Sequence, residues 1–239
     1  MGLSAPIHVL SAGSTVRGLR TLAPALSARI GRPIVVATDH GHNIGAAARA
    51  GLLDAHALLL PRDMIEELIA AGALAGPRTE LGAVATSAVV ARGAAAPGVE
   101  TMEGLRAALL RARRVLITTA PSGVHMTVVI GALGLRGEVE GKLMRFDKSS
   151  DINAWLAREG DADALGFGPT TEIVDVDGVT HGGLLPHEAQ MVLPYAAAAT
   201  AQAFGDPDVR TLLAALTSAD ARAAFEATGM TYAAPSPAA

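Results

Sequence analysis

The sequence predicts an α/β protein of two units, each a mainly parallel sheet flanked by helices. Three observations carry this. Between residues 7 and 71, short apolar runs alternate with segments of helical periodicity. The alternation resumes between 102 and 167. The two series are separated by LGAVATSAVVA at 81–91, a nearly uncharged β stretch long enough to pass from one unit into the other.

In order, IHVL at 7–10 is an apolar strand run that ends in SAGS. Val16, Leu19, Leu22, Leu26 and Ile30 then recur at helical spacing over 15–30, with Ser14 expected as the N-cap and Pro24 expected to bend or restart the helix. PIVVA at 33–37 has a buried-strand pattern. A short helix over 43–50 ends at Gly51, 55–60 is a strand, and a helix over 63–71 stops at Gly72. Past the long β stretch, Thr101 caps a helix over 102–113, and VLIT at 115–118 is a strand. The turn TAPSGVHM opens a helix carrying Met126, Val129, Ile130 and Leu133, and a strand follows at 143–146. Ser150 is expected to cap the helix of Ile152, Trp155 and Leu156, before a strand at 164–167. DVDGVT at 175–180 reads as a tight hairpin, because Asp-Gly favours positive φ. Residues 191–198 are apolar and return towards the first unit. Asp206 and Pro207 start a helix with Val209, Leu212, Leu213 and Leu216, and Ser218 caps a last one that ends at Gly229. The tail APSPAA is expected to fray. The units are therefore expected at 1–83 with 200–239, and at 84–199.

Composition narrows the function. Of 239 residues 50% are hydrophobic and only 3% aromatic, so the core must be built from closely packed Ala, Val, Leu and Ile. The net charge is −4 and no Lys/Arg run exceeds RARR at 111–114, which leaves no electrostatic footprint for nucleic acid. The lack of cysteine excludes disulfides, thiol catalysis and thiolate metal sites. No apolar run reaches membrane-spanning length. The N-terminal residues show no secretory leader, so the expectation is a cytoplasmic protein if Met1 is the native start, and a periplasmic one if a leader was removed.

Three short turns lead from an apolar strand into a helix: 11–15, 39–43 and 121–125. Unpaired amides and the positive end of a helix dipole favour an anion at such places. The candidate ligand-binding residues are Ser11, Gly13, Ser14 and Thr15 in the first turn, and Asp39, Gly41 and Asn43 in the second. Ser122, Gly123 and Val124 supply the third. Each serine taken singly is more often a plain helix cap; the conjunction of three turns is the signal.

These stretches, taken in order, resemble a type II periplasmic solute-binding protein of the molybdate-binding branch. The likeness is carried by VLSAGST, NIGAAARAG followed by DAHALLLP, LGAVATSAVVARG, TAPSGVHM, SSDINAWLAREGDADALGFGPTTEI and the closing DPDVRTLLAALTSADARAAFEATGM. The resemblance implies two lobes joined by crossing strands, a small anion held in the cleft between them, a monomer, and an ABC-transporter permease as partner if the chain is exported. It places Ser14 at the first ligand-binding serine, Ser122 in the turn whose backbone binds the oxyanion, and Ile152 at a backbone contact in the second lobe. It implies no cofactor and no metal. Two departures argue against molybdate itself. Asp39-His40-Gly41-His42 stands where those proteins have a serine run, and Gly166-Phe167-Gly168-Pro169-Thr170-Thr171 stands where they carry a tyrosine.

The histidines open a second reading. His40, His42 and His125 sit in the turns and can donate hydrogen bonds to carboxylates or shuttle protons near neutral pH. A subgroup of the same fold, the aconitate isomerases, moves a double bond in a tricarboxylate by proton abstraction and return, and these histidines would be its acid–base groups. Asp39 would set the tautomer of a neighbouring imidazole. A zinc site at His40, His42 and Asp39 has poor ligand spacing, and His181 and His187 read as structural.

Overall fold

A computed structural model describes residues 5–232; the tail APSPAA lies outside the described residues. In chain order the elements are β1 Ile7–Ser11, α1 Gly13–Ile30, β2 Ile34–Thr38, α2 Gly41–Arg49, β3 Ala57–Pro61, α3 Arg62–Ala70 and β4 Leu74–Ala91. Then come α4 Met102–Arg111, β5 Arg114–Thr118, α5 Pro121–Ala132, α6 Arg136–Val139, β6 Leu143–Phe146, α7 Ser149–Glu159, β7 Ala164–Pro169 and β8 Val179–Leu184. β9 Val192–Thr200, α8 Pro207–Ala215 and α9 Ala219–Glu226 close the chain. Two compact units result: Met1–Val84 with Leu193–Ala239, and Ala85–Val192. The chain thus re-enters the first unit at Leu193, earlier than residue 200, because Tyr195–Ala199 of β9 pair antiparallel with β3.

The first unit orders its strands β2-β1-β3-β9, with β1 parallel to both β2 and β3. Its core shows how a chain poor in aromatics fills space. Leu58, Leu59 and Leu60 of β3 stand opposite Ala198, Ala197 and Ala196 of β9, so each large side chain faces a small one. All six are fully buried. A leucine removed from water contributes about 1.5–3 kcal/mol. Leu19, Leu22 and Leu26 of α1 pack into the same core, as does Phe225 of α9. There α1 presents Gly18: a Cβ at that position would lie 2.3 Å from the Phe225 ring, inside van der Waals contact.

Four local expectations are corrected here. β2 is the edge strand, and its burial alternates between half-buried and exposed, so PIVVA is not a buried strand. α1 starts at Gly13 with Ala12 as its cap residue, which puts Ser14 inside the first turn. α1 also continues through Pro24 without restarting. Pro24 and Arg20, whose carbonyl it cannot serve, are both exposed, so water can take that carbonyl. Finally, DVDGVT is not a hairpin. Its turn, with positive φ at Asp175 and Gly178, leads into β8, and β8 pairs with β4.

In the second unit β4 pairs antiparallel with β7 and β8, while β7, β5 and β6 run parallel. Alternate residues of β5 face opposite layers. Val115 and Ile117 join Met126, Val129 and Ile130 of α5 in one core. Leu116 joins Ile152 and Leu156 of α7 in another. α5 and α7 therefore cover opposite faces of one sheet, and both begin just after strand carboxyl ends. Thr101, Asp206 and Ser218 cap their helices as expected, each side chain accepting a backbone N–H.

Candidate functional site

The candidate residues fall into two sets. Ser11, Gly13, Ser14, Thr15, Asp39, His40, Gly41, His42 and Asn43 belong to the first unit; Ser122, Gly123, Val124, His125 and Ile152 belong to the second.

In the first unit the carboxyl ends of parallel β1 and β2 place two helix starts side by side. Ser11 and Thr15 are fully buried, with hydroxyls 2.7 Å apart. Ser11 Oγ lies 2.9 Å, and Thr15 Oγ1 3.4 Å, from the Ala12 carbonyl. Both hydroxyls are therefore engaged in closing the β1–α1 turn. What the turn presents is the first-turn amide of Gly13, which has no partner within its helix. The neighbouring turn is tied to it by Asp39 N–H, which reaches Ser11 O at 3.4 Å. Asp39 Oδ1 accepts from the His40 amide at 2.7 Å and from Asn43 Nδ2 at 3.1 Å. Asp39 thus organises the start of α2 through its backbone and Asn43. The His40 and His42 rings stack with centroids 5.3 Å apart and an interplanar angle of 25°. The first turns of α1 and α2 carry no acidic residue, and the basic residues of their ends, Arg29 and Arg49, lie in the last turns.

In the second unit Thr118 and Ser122 are buried, with hydroxyl oxygens 3.4 Å apart. Gly123 and Val124 both donate to Ala120 O, at 3.0 and 3.1 Å. Pro121 has no N–H, so Ser122 supplies the open amide of this helix start. Gly123 allows the approach: its Cα side faces the Thr118 backbone so closely that a Cβ would lie 1.8 Å from Thr118 O. The Val124 side chain is exposed. His125 donates from Nε2 to Ala189 O at 2.8 Å, so this ring ties α5 to the segment before β9. The start of α7 differs from expectation in register. The helix begins at Ser149, one residue before the expected cap Ser150, with Lys148 as the cap residue. Asp151 and Ile152 donate to Lys148 O at 3.1 and 3.4 Å, and the Ile152 side chain is in the core. Ser149 and Ser150, not Ile152, therefore offer the open amides.

Sequence reasoning missed a buried chain of hydroxyls behind the β7 end. Thr170 Oγ1 donates to Ala85 O at 2.9 Å and so must accept from Ser87 Oγ, 2.6 Å away. Ser87 in turn must accept from His181 Nε2, 2.9 Å away. This polarity makes His181 a donor and leaves Ser87 unactivated as a nucleophile. Burial pushes His181 below its ordinary 6.5, against the opposing pull of Glu100. The Ser and Thr of LGAVATSAVV were the only signal, and it was hidden in a run read for its apolar content. Among the described residues no cluster of three His, Asp or Glu side chains could hold a metal ion. No described helix is long and apolar enough to cross a membrane.

Residues 7–231 match the family model of a bacterial extracellular solute-binding protein. An aconitate isomerase from a Pseudomonas species is 28% identical over 232 residues, spanning 94% of this chain and 87% of that protein. The periplasmic molybdate-binding protein of Azotobacter vinelandii superposes with a TM-score of 0.75 at 20% identity, covering 95% of this chain and 100% of that one. The tungstate ABC transporter structure from Geobacter sulfurreducens gives 0.68 at 11% identity, covering 92% and 97%. The two solved structures share this chain's fold: two α/β units of the type II periplasmic-binding kind.

Proposed function

Because this chain belongs to the bacterial extracellular solute-binding proteins, we propose that it captures a small anion, an organic carboxylate or an oxyanion, as a receptor. The observation that carries the reading is the repeated helix start. The first turns of α1, α2 and α5 each follow a strand, carry helix-start amides at Gly13, Asn43 and Ser122, and contain no lysine or arginine. Amides and hydroxyls of this kind suit an anion held by hydrogen bonds rather than by a cationic clamp. An export leader and a transporter permease as partner belong to the same proposal.

Calorimetry with molybdate, tungstate, phosphate, citrate and the aconitates tests it. At least one anion is expected to bind with a dissociation constant in the micromolar range or below. Ser14→Ala and Ser122→Ala are each expected to weaken that same anion by about tenfold, the scale of one hydrogen bond to a charged group. Silence across the panel, or wild-type affinity in both variants, would overturn the receptor reading.

The 28% identical isomerase supports a second reading, in which His40, His42 or His125 moves a proton. An imidazole would take a proton from the carbon next to a double bond. The electron pair would shift that bond by one position, and the same proton or one from water would return at the far carbon. Incubation with cis- or trans-aconitate in heavy water would then place deuterium in the recovered acid. His42→Ala would lower turnover by about 10²–10⁴-fold. Tight binding with neither isomerisation of either aconitate nor deuterium incorporation would retain the receptor and discard the catalyst.

A further inference from the structure

The geometry points to a specificity device at the start of α7: Ser149 and Asn153 form a buried, acceptor-rich pair that selects an anion carrying its own O–H donor. Hydrogen phosphate and hydroxycarboxylates share that chemistry. The inference rests on the receptor reading above and names the class of anion that the receptor takes.

The start of α7 has the donors an anion needs, in the open amides of Ser149 and Ser150. A second observation sets this helix start apart. Asn153 lies one turn further along, and a helical side chain leans back towards the N-terminus, so Ser149 and Asn153 share a face. They are only 6% and 5% exposed. The Asn153 carboxamide has one orientation: its partner is the Glu172 carbonyl, 2.7 Å away, so Nδ2 must be the atom that meets it. Oδ1 is left buried, with no hydrogen-bond partner among the described residues. Ser149 stands against the carboxyl end of β7, where Gly168 leaves it room. A Cβ at Gly168 would lie 3.1 Å from Ser149 Oγ.

Counting protons gives the chemistry. Asn153 Oδ1 can only accept, and the Ser149 hydroxyl has one proton to give. If that proton turns to Oδ1, the lone pairs of Ser149 face the incoming anion. If it turns to the anion, Oδ1 stays orphaned. Either way one donor is lacking, and molybdate, tungstate or sulfate, which only accept, cannot supply it. An anion with an O–H can. The buried acceptors are a hydroxyl and a carboxamide, both neutral, so they suit a neutral O–H rather than an ammonium. Lys148 and Asp151, the charged groups of this turn, are exposed. A site built to meet a hydroxyl discriminates against the analogue that lacks it, because a buried polar group is then left unpaired.

Calorimetry of the full chain at pH 7 tests this with two matched pairs. Citrate and tricarballylate differ by one hydroxyl, and of phosphate and sulfate only phosphate keeps an O–H. The pair containing the tighter ligand decides, and so tells a hydroxycarboxylate from a protonated oxyanion. Its O–H-bearing member is expected to bind at least about tenfold more tightly than the other. Ser149→Ala and Asn153→Leu are expected to bring that ratio towards one. Asn153→Leu also loses the bond to Glu172, so Ser149→Ala carries the test if the leucine variant fails to fold. No preference within the deciding pair, or a ratio unchanged in every variant that folds, overturns the selection and leaves the receptor reading intact. Binding of molybdate or tungstate with neither pair bound does the same. Silence across both pairs and the wider panel overturns the receptor reading, and the selection with it.

Discussion

Replacing Gly123 by alanine would test whether the start of α5 is held where the close approach to β5 puts it. The position has no positive φ, so alanine meets no backbone strain there. The cost is steric alone. A new Cβ would lie 1.8 Å from Thr118 O, 2.5 Å from Thr118 N and 2.6 Å from Thr118 C. All three atoms are backbone, so no change of rotamer can relieve the contact. Restoring even a 3.0 Å separation requires the helix start and the strand end to part by about 1.2 Å. Forced overpacking of this kind costs about 1–3 kcal/mol. At about 2–4 °C per kcal/mol for a chain of this size, the melting temperature should fall by about 2–12 °C. Gly41→Ala is the matched control at the start of α2. Its added Cβ would find nothing nearer than 3.8 Å. That variant should gain about 0.4–1 kcal/mol, because alanine has less freedom to lose on folding. Thermal and urea unfolding of both variants would read the contrast. A Gly123→Ala protein that melts with the wild type would refute the claim that this glycine sets the helix position.

Three further predictions concern pH. The Arg32 guanidinium, 2.7 Å from Asp206, holds that carboxyl below its ordinary 3.8, so its stabilisation is complete above that value and is lost as pH falls through the depressed one. Arg32→Met should therefore cost about 1 kcal/mol at neutral pH, and urea midpoints should show the gap to wild type closing below about pH 4. Burial holds His181 below 6.5, so stability is complete above that pH and declines as pH falls through the lowered value; His181→Gln should remove this decline between pH 8 and 5, measured by urea midpoints. Burial pushes the Tyr232 phenol up to about 12, and its OH is buried with no hydrogen-bond partner among the described residues. Stability should fall as pH rises from 10 towards 12, and Tyr232→Phe should abolish that fall while gaining up to about 1 kcal/mol at pH 7, read by thermal melts.

The fold was legible where one period dominated a segment. The leucines of α1 recur along one face, and the short apolar run of β3 between turn residues reads as a strand, so both elements follow from pattern. The readings that failed depended on partners far away in the chain. PIVVA has the composition of a buried strand, yet β2 has a neighbour on one side only, and nothing within five residues encodes that. Asp-Gly at 177–178 does turn, but whether a turn closes a hairpin depends on where the next strand finds its partner, here β4. The helix starts show the same limit on a finer scale. A serine near an apolar run suggests a side-chain cap, but α1 and α7 begin at Gly13 and Ser149 without one. The turns at 11–15, 39–43 and 121–125 were legible as turns, and Ser149 and the Ser87–Thr170–His181 chain were not.

This division bears on how one scaffold can serve different chemistries. Ser11 and Thr15 are engaged with the Ala12 carbonyl, and Ser87 and Thr170 with each other and with Ala85. These buried hydroxyls stabilise turns and strands and are not available for selecting a ligand. What the helix starts offer in common is backbone amide, and amides survive almost any substitution of the side chains around them. Under the proposed receptor function, selectivity would fall to side chains at these starts: Asp39, His40 and His42 on α2 in the first unit, and Ser122 on α5 and Ser149 on α7 in the second. Changing those few residues would leave the helix-start amides in place and alter only the side chains beside them. On this reading a molybdate-binding protein and an aconitate isomerase can both superpose on or align with nearly the whole chain. It also means that exchanging Asp39, His40 and His42 for serines should shift preference from carboxylates towards spherical oxyanions with little loss of stability, a change that calorimetry on the same panel would detect. If the exchange left the order of affinities untouched, the α2 turn would have no part in selection, and the discriminating residues would have to be sought at the starts of α5 and α7.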